Sequence, residues 1–201
     1  MEEKRDYTQD LSDIRSMMER SSKFLSLSGW AGIMAGLYAI TGAWAAYSFF
    51  DFFPDELFYT SDSQNEVILI ALGVLLLALV TAILFSRSQA RKKEEKIWNA
   101  TSRRLLGNMA IPLIVGGFVI SMLVSIDLIG LVAPMMLIFY GLSLVIAGNF
   151  TISEVRWMGF VQLGLGLLAA WFVEYGLILW VLGFGVVHIV YGIYMHFNFK
   201  R

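Results

Sequence analysis

Long uncharged apolar runs alternate with short polar segments along the chain. The runs of about 25–50 and 67–85 contain no charged residue, whereas 109–150 contains only Asp127 and 157–198 only Glu174, apart from two histidines. Crossing about 30 Å of hydrocarbon takes roughly 20 apolar residues at 1.5 Å per residue. Each of the two longer runs therefore has enough residues for two membrane spans.

Turn signals divide each of the longer runs near its middle. One is Ser125-Ile126-Asp127-Leu128-Ile129-Gly130 and the other is Glu174-Tyr175-Gly176, each combining a carboxylate with a flexible glycine. The pattern predicts an all-α integral membrane bundle of six transmembrane helices in three hairpins, within a domain of residues 25–198. The predicted spans are about 25–50, 67–85, 109–126, 131–149, 157–173 and 177–197.

Composition supports a membrane environment. Hydrophobic residues make up 58% of the 201 residues and the mean hydropathy is +0.68, which exceeds what a single soluble core of this size needs. The chain has no cysteine, which excludes disulfides, thiolate nucleophiles and iron–sulfur ligation. The first 24 residues are polar, so we expect no cleavable signal peptide and expect span 1 to target the chain.

Charge is distributed unequally across the predicted membrane. All fifteen Lys and Arg residues fall in the N-terminal arm, the segment 86–108, the connection between spans 4 and 5, and the C-terminus. These four segments lie on one face of a six-span fold, whereas the other face carries seven acidic residues and no cation. The positive-inside rule then predicts that both termini are cytoplasmic.

Two polar segments on the predicted cytoplasmic face have an apolar side. Residues 1–24 form a predicted amphipathic helix, and 86–108 forms a predicted helical loop that extends span 2 and leads into span 3. Such segments either lie on the membrane surface against anionic lipid or dock a cytoplasmic protein partner. The loop is too short and too mixed in charge for nucleic acid. The candidate partner or lipid surface comprises Leu11, Ile14, Met18, Arg91, Lys92, Lys93 and Trp98.

Span 1 is rich in small residues. It contains Gly32-xxx-Gly36, a spacing that lets another helix backbone approach closely. We predict that these glycines serve helix packing, and span 1 is the best candidate for a homodimer interface.

A few polar side chains fall at the predicted depth of the bilayer. Polar and ionisable groups are costly there and are functional candidates by default. The predicted intramembrane polar cluster comprises Tyr140, Ser143, Gln162, His188 and Tyr191.

A serine in span 4 and a histidine in span 6 are also found in rhomboid-type intramembrane proteases. Here Gly141-Leu142-Ser143-Leu144 lacks the second glycine of that family's serine motif, and span 2 has no histidine and asparagine pair. A serine and histidine without oxyanion donors are an incomplete catalytic set. We therefore predict no catalytic residue and keep an intramembrane serine hydrolase as a remote alternative.

Metal and haem sites are not predicted. His188 and His196 are eight residues apart on one helix, too far along its axis to share a metal, and no intramembrane carboxylate joins them. We expect no metal and no cofactor. A small carrier or channel stays open as an alternative, because the outer acids could form an anionic vestibule above a polar path.

Four further stretches of the sequence are distinctive. They are residues 15–29, Asn108-Met109-Ala110-Ile111-Pro112-Leu113, residues 133–142 and Gly183-Phe184-Gly185-Val186-Val187-His188-Ile189-Val190-Tyr191-Gly192. These stretches resemble a family of uncharacterised polytopic membrane proteins of Bacteroidota. The resemblance covers nearly the whole chain and implies a bacterial inner-membrane location, without an activity, cofactor or site.

The leading functional hypothesis is a non-enzymatic interaction, sensory or scaffolding membrane protein. Its arm 1–24 and loop 86–108 would engage a cytoplasmic partner. The bilayer, such a partner and a second copy of the chain are therefore the expected partners.

Overall fold

The computed structural model describes residues 28–60, 62–92 and 98–198, and every regular element in this part of the chain is helical. The predicted arm 1–24 lies outside the described residues. Short 3₁₀ turns, Ile129–Leu131 and Val173–Tyr175, precede the fourth and sixth helices. The helices are α1 Gly29–Phe50, α2 Gln64–Lys92, α3 Ala100–Ser125, α4 Val132–Ala147, α5 Ser153–Trp171 and α6, which joins Gly176–Trp180, Val181–Val187 and His188–Asn198 without a break.

Five stretches are long and apolar enough to cross a membrane. They correspond to α1, α2, α3, α4 with its 3₁₀ turn, and α6 with its 3₁₀ turn. The remaining helix, α5, is not among them and carries Glu154, Arg156 and Gln162. The structure confirms the prediction of an all-helical protein with several helices able to span a bilayer.

The helices pack in a row that is not the order of the chain. α2 packs on α1, α1 packs on α6, α6 packs on α5 and α4, and α3 packs on α4. The closest pair is α4 with α5, where Gly141 and Gly159 each lie against the carbonyl of the other. α2 occupies one edge, and no residue of its apolar window is buried. An apolar helix without buried residues is expected to face lipid rather than a protein core.

Small residues allow α1 to approach α6 closely. A Cβ atom at Gly32 would meet the His188 carbonyl and Gly192, and one at Gly36 would meet the Gly185 carbonyl and Ile189. The Gly32-xxx-Gly36 face is therefore occupied by α6 of the same chain. A homodimer through span 1 stays a prediction, and it would have to use another face of α1.

The connection after α1 folds over the turn between α3 and α4. The Tyr59 N–H donates to the Asp127 carbonyl at 3.1 Å, and the Gly130 N–H donates to the Leu57 carbonyl at 3.2 Å. Asp127 adopts a left-handed conformation (φ 58°), which short polar residues tolerate better than most. Gly130 is needed for another reason, since a Cβ there would collide with the Glu56 carbonyl. These contacts close one end of the bundle.

We predict that Gly36→Ala destabilises the packing of α1 on α6. The added methyl group meets backbone atoms that cannot rotate away, and overpacking of this kind costs roughly 1–3 kcal/mol. The measurement is the free energy of unfolding in mixed micelles. Gly73→Ala on α2 is the matched control, because a Cβ there meets nothing within 4 Å. Equal effects of the two substitutions would contradict the assigned interface.

Candidate functional site

A π-helical segment interrupts α6 at its middle. It runs over Val181–Val187 and contains the buried residues Gly183 and Gly185. In a π-helix the backbone hydrogen bonds join residues five apart, so some carbonyls lose the N–H donor four residues later that an α-helix provides. Such segments often occur at functional sites. In a bilayer, a backbone carbonyl without a partner costs several kcal/mol. The groups around this segment must therefore supply donors.

Two side chains donate to the Gly183 carbonyl. Gln162 Nε2, on α5, lies 2.8 Å from this oxygen, and His188 Nδ1 lies 3.0 Å from it. A Cβ at residue 183 would meet Gln162 Oε1 and the Leu137 side chain, so a larger residue there would displace the Gln162 amide. Gln162 is completely buried. The segment is thereby tied to α5 through a side-chain amide.

The same histidine connects to α4. His188 Nε2 lies 2.9 Å from the Tyr140 hydroxyl. Because a carbonyl can only accept, His188 Nδ1 must carry a hydrogen, and in the uncharged ring Nε2 is then the acceptor. The Tyr140 hydroxyl therefore donates to His188 Nε2. We call Tyr140, Gln162, the Gly183 carbonyl and His188 the polar latch.

Aromatic rings cover one side of the polar latch. The Tyr140 and His188 rings are stacked, with centroids 5.5 Å apart and an interplanar angle of 24°. Phe184 stacks on His188, with centroids 5.8 Å apart, and its centroid lies 5.0 Å from that of Tyr140 and 5.0 Å from that of Trp180. His188 itself is buried, with 7% of its surface exposed. The latch is thus enclosed by packed side chains.

Ser143 is not part of this network. Its hydroxyl donates to the carbonyls of Phe139, at 3.0 Å, and Met109, at 3.2 Å. Met109 lies one turn before Pro112, whose missing N–H and bulky ring weaken helical bonding in that turn of α3. Ser143 therefore joins α3 to α4 through the backbone.

This arrangement does not form a nucleophile and base pair. Both ring nitrogens of His188 are engaged, by Tyr140 and by the Gly183 carbonyl, and the Ser143 hydroxyl bonds only to backbone carbonyls. A general base must lie within hydrogen-bond reach of the proton that it removes. The geometry thus offers no activation of Ser143 by His188.

Tyr191 lies beside the hydrophobic core rather than in the latch. It packs with Met109 and Tyr140 against a buried group that includes Leu105 and Leu144. Among the described residues, its hydroxyl has no hydrogen-bond partner, and the same holds for Gln162 Oε1 and Trp180 Nε1. Of the five predicted cluster residues, Tyr140 bonds to His188, and His188 and Gln162 meet at the Gly183 carbonyl. Ser143 and Tyr191 lie in separate contacts.

The predicted partner surface is described only in part. Leu11, Ile14, Met18 and Lys93 lie outside the described residues, and Lys92 ends α2. Arg91 and Trp98 are exposed, with 66% of the Trp98 surface accessible. α3 begins beside Trp98 with a capping box, in which Asn99 Oδ1 accepts from the Ser102 N–H at 2.8 Å and Ser102 Oγ accepts from the Asn99 N–H at 2.9 Å. This end of α3 is an ordered helix start.

No cluster of metal ligands is formed by the residues that the structure describes. His196 lies a further two turns along α6 from His188 and packs edge-on against Trp30, with ring centroids 5.4 Å apart. The two histidines therefore have different neighbours.

Comparison with protein-family models, curated proteins and solved structures gave no match to this chain. The resemblance to uncharacterised membrane proteins of Bacteroidota accordingly stays a prediction. Functional inference depends on the geometry alone.

We predict that the bond between Tyr140 and His188 stabilises the fold cooperatively. A double-mutant cycle of Tyr140→Phe and His188→Leu should give a coupling energy of about 0.6 kcal/mol and at most about 1.7 kcal/mol, the range for hydrogen bonds between membrane helices. The measurement is again the free energy of unfolding in mixed micelles. Tyr140→Phe combined with Thr41→Val should be additive, because Thr41 bonds within its own helix. Additivity in the first cycle would contradict the latch.

Proposed function

We propose that this chain is a six-span integral membrane protein of the bacterial inner membrane with a non-enzymatic interaction role. Its cytoplasmic face, formed by the arm 1–24 and the segment 86–108, engages a protein partner. The observation that supports a non-enzymatic role is the bonding of the polar latch, in which both ring nitrogens of His188 and the amide nitrogen of Gln162 are engaged. The most reactive-looking side chains at bilayer depth are used to hold α4, α5 and α6 together.

The six-span arrangement is supported by the length and position of α5. Its 19 residues at 1.5 Å each extend about 28 Å, close to the thickness of the hydrocarbon layer. It packs against α4 and α6, which are both apolar enough to span. Its charged residues Glu154 and Arg156 lie in the first turns, where they can reach the headgroup level, and Gln162 is satisfied internally through its amide N–H. A helix that packs against two helices able to span the membrane is itself best placed across the bilayer.

An interaction role also agrees with the surface beside the start of α3. Trp98, Arg103, Arg104 and Leu106 are all exposed there. Exposed tryptophan together with arginine is typical of protein interfaces, in which such residues carry much of the binding energy. Tryptophan beside basic residues is also typical of a surface that contacts lipid headgroups, so the co-purification experiment below compares the two.

The carrier and hydrolase alternatives receive less support. A carrier needs polar groups that can contact its cargo, whereas Tyr140, His188 and the Gln162 amide nitrogen bond to one another or to the backbone. The side-chain atoms without a partner among the described residues, Gln162 Oε1, Trp180 Nε1 and the Tyr191 hydroxyl, are buried. A hydrolase needs a serine activated by a base, and Ser143 donates to two carbonyls. We therefore place interaction ahead of both.

The orientation can be tested with single cysteines, because the natural chain has none. We expect a membrane-impermeant maleimide to label Thr60→Cys and Glu174→Cys in intact spheroplasts, and to label Ser88→Cys and Trp98→Cys only after the cells are opened. The reason is the segregation of the basic residues to one face. Labelling of Ser88→Cys in sealed cells would contradict the proposed topology.

The partner surface can be tested by quantitative co-purification from the native membrane. We expect deletion of residues 1–24, and separately Trp98→Ala, to remove a protein that co-purifies with the natural chain. Trp171→Ala is the matched control, since Trp171 is also highly exposed but lies at the other end of the bundle. Unchanged recovery with both altered chains, or binding only to anionic vesicles, would contradict a protein partner at this surface.

A further inference from the structure

An apolar groove lies between α1, α2, α4 and the first part of α6. Its volume is about 140 Å³, and no charged side chain lines it. Small residues on α1, namely Gly42, Ala43 and Ala46, form part of its wall. The rest of the wall includes Pro54, Val67 and Ala71, Met136 on α4 and Trp180 on α6.

The packing of α2 explains why the groove exists. α2 packs chiefly on α1, where Val74 fits against Gly42 and the Tyr38 hydroxyl lies 3.3 Å from Thr81 Oγ1. α4 packs instead on α5 and α3. The two helices that form opposite walls of the groove, α2 and α4, are therefore held by different neighbours and leave a space between them.

The surroundings of the groove define what can enter it. One end is closed by the connection after α1, where buried Pro54 lines the groove and Tyr59 and Leu57 bond to the α3–α4 turn. Along the sides run α1, α2 and α4, each of which is apolar enough to cross a membrane. α2, which forms one of these sides, buries none of its apolar window.

We propose that this groove binds one acyl chain of a bilayer phospholipid. The lining offers hydrocarbon contacts and no charge, so it complements an uncharged chain and does not recognise a headgroup. The volume is close to the roughly 150 Å³ of an apolar cavity that stays dry and accepts a benzene-sized molecule. A segment of an acyl chain is about as wide as such a small apolar molecule. Acyl chains fill the hydrocarbon layer that α1, α2 and α4 are long enough to cross. This inference does not depend on the proposed cytoplasmic partner.

Bound lipid would lie next to the polar latch. Trp180 lines the groove, its ring centroid is 5.0 Å from that of Phe184, and Phe184 is 5.0 Å from Tyr140 in the latch. Trp180 is only partly exposed. Its fluorescence therefore reports on an acyl chain that enters the groove.

The test reconstitutes the full chain in vesicles of phosphatidylcholine with dibrominated acyl chains, since bromine quenches tryptophan on contact. The emission of Trp180 is obtained by subtracting the spectrum of Trp180→Phe, because the chain has six tryptophans. We expect this emission to be lost in brominated vesicles relative to unbrominated ones. Ala71→Phe, which fills the groove from α2, should restore it.

The matched control is Gly73→Phe, two residues along α2, where an added side chain meets open space. It should be quenched like the natural chain. Val67→Phe provides a second filling substitution if Ala71→Phe does not fold. Unquenched Trp180 in the natural chain, or equal quenching in the filled chains, overturns the proposal. If native mass spectrometry finds a retained fatty acid instead of a phospholipid, the assignment of the acyl chain to a phospholipid is overturned.

Discussion

The Gly183 carbonyl in the middle of α6 is the constraint on which the arrangement of the helices depends. It belongs to a π-helical segment, and the bilayer provides no water to satisfy backbone groups that such a segment frees. Gln162 donates to it from the neighbouring α5, and His188 donates to it from the next turn. His188 also accepts from Tyr140 on α4. One backbone oxygen thus fixes the relative positions of three helices.

α6 changes its packing partners along its length at this segment. Its first part, Gly176–Trp180, packs on α4 and α5, whereas the π-helical segment and His188–Asn198 pack mainly on α1. Two glycines let the neighbouring helices approach α6 closely. Gly183 lies against Gln162 of α5, and Gly192 lies against α1. The switch leaves α2, which follows α1, separated from α4. The groove lies beside the part of α6 that precedes the π-helical segment, and the polar latch lies at the segment itself.

The sequence predicts the helical class and the presence of several helices long and apolar enough to cross a membrane, because uncharged runs near 20 residues long have few alternatives. It also identifies Tyr140, Gln162 and His188, since polar side chains are rare at that depth. The sequence does not separate these from Ser143 and Tyr191, because depth alone says nothing about which face a side chain occupies. The sequence analysis does not predict the π-helical segment, in which the Gly183 carbonyl bonds to His188, five residues later. In the turn between α3 and α4, Asp127 takes the left-handed position, whereas Gly130 leaves space for the Glu56 carbonyl.

The positions of the hydrogens on the His188 ring are the most direct test of the polar latch. The chain has two histidines, so a nitrogen-15 spectrum of selectively labelled protein contains two imidazoles, and His196→Gln assigns them. The Gly183 carbonyl requires a hydrogen on Nδ1, and donation by Tyr140 requires a bare Nε2. The account predicts the Nδ1–H form for His188, with a change in the Nε2 shift in Tyr140→Phe. A hydrogen on Nε2 with Nδ1 bare would contradict it.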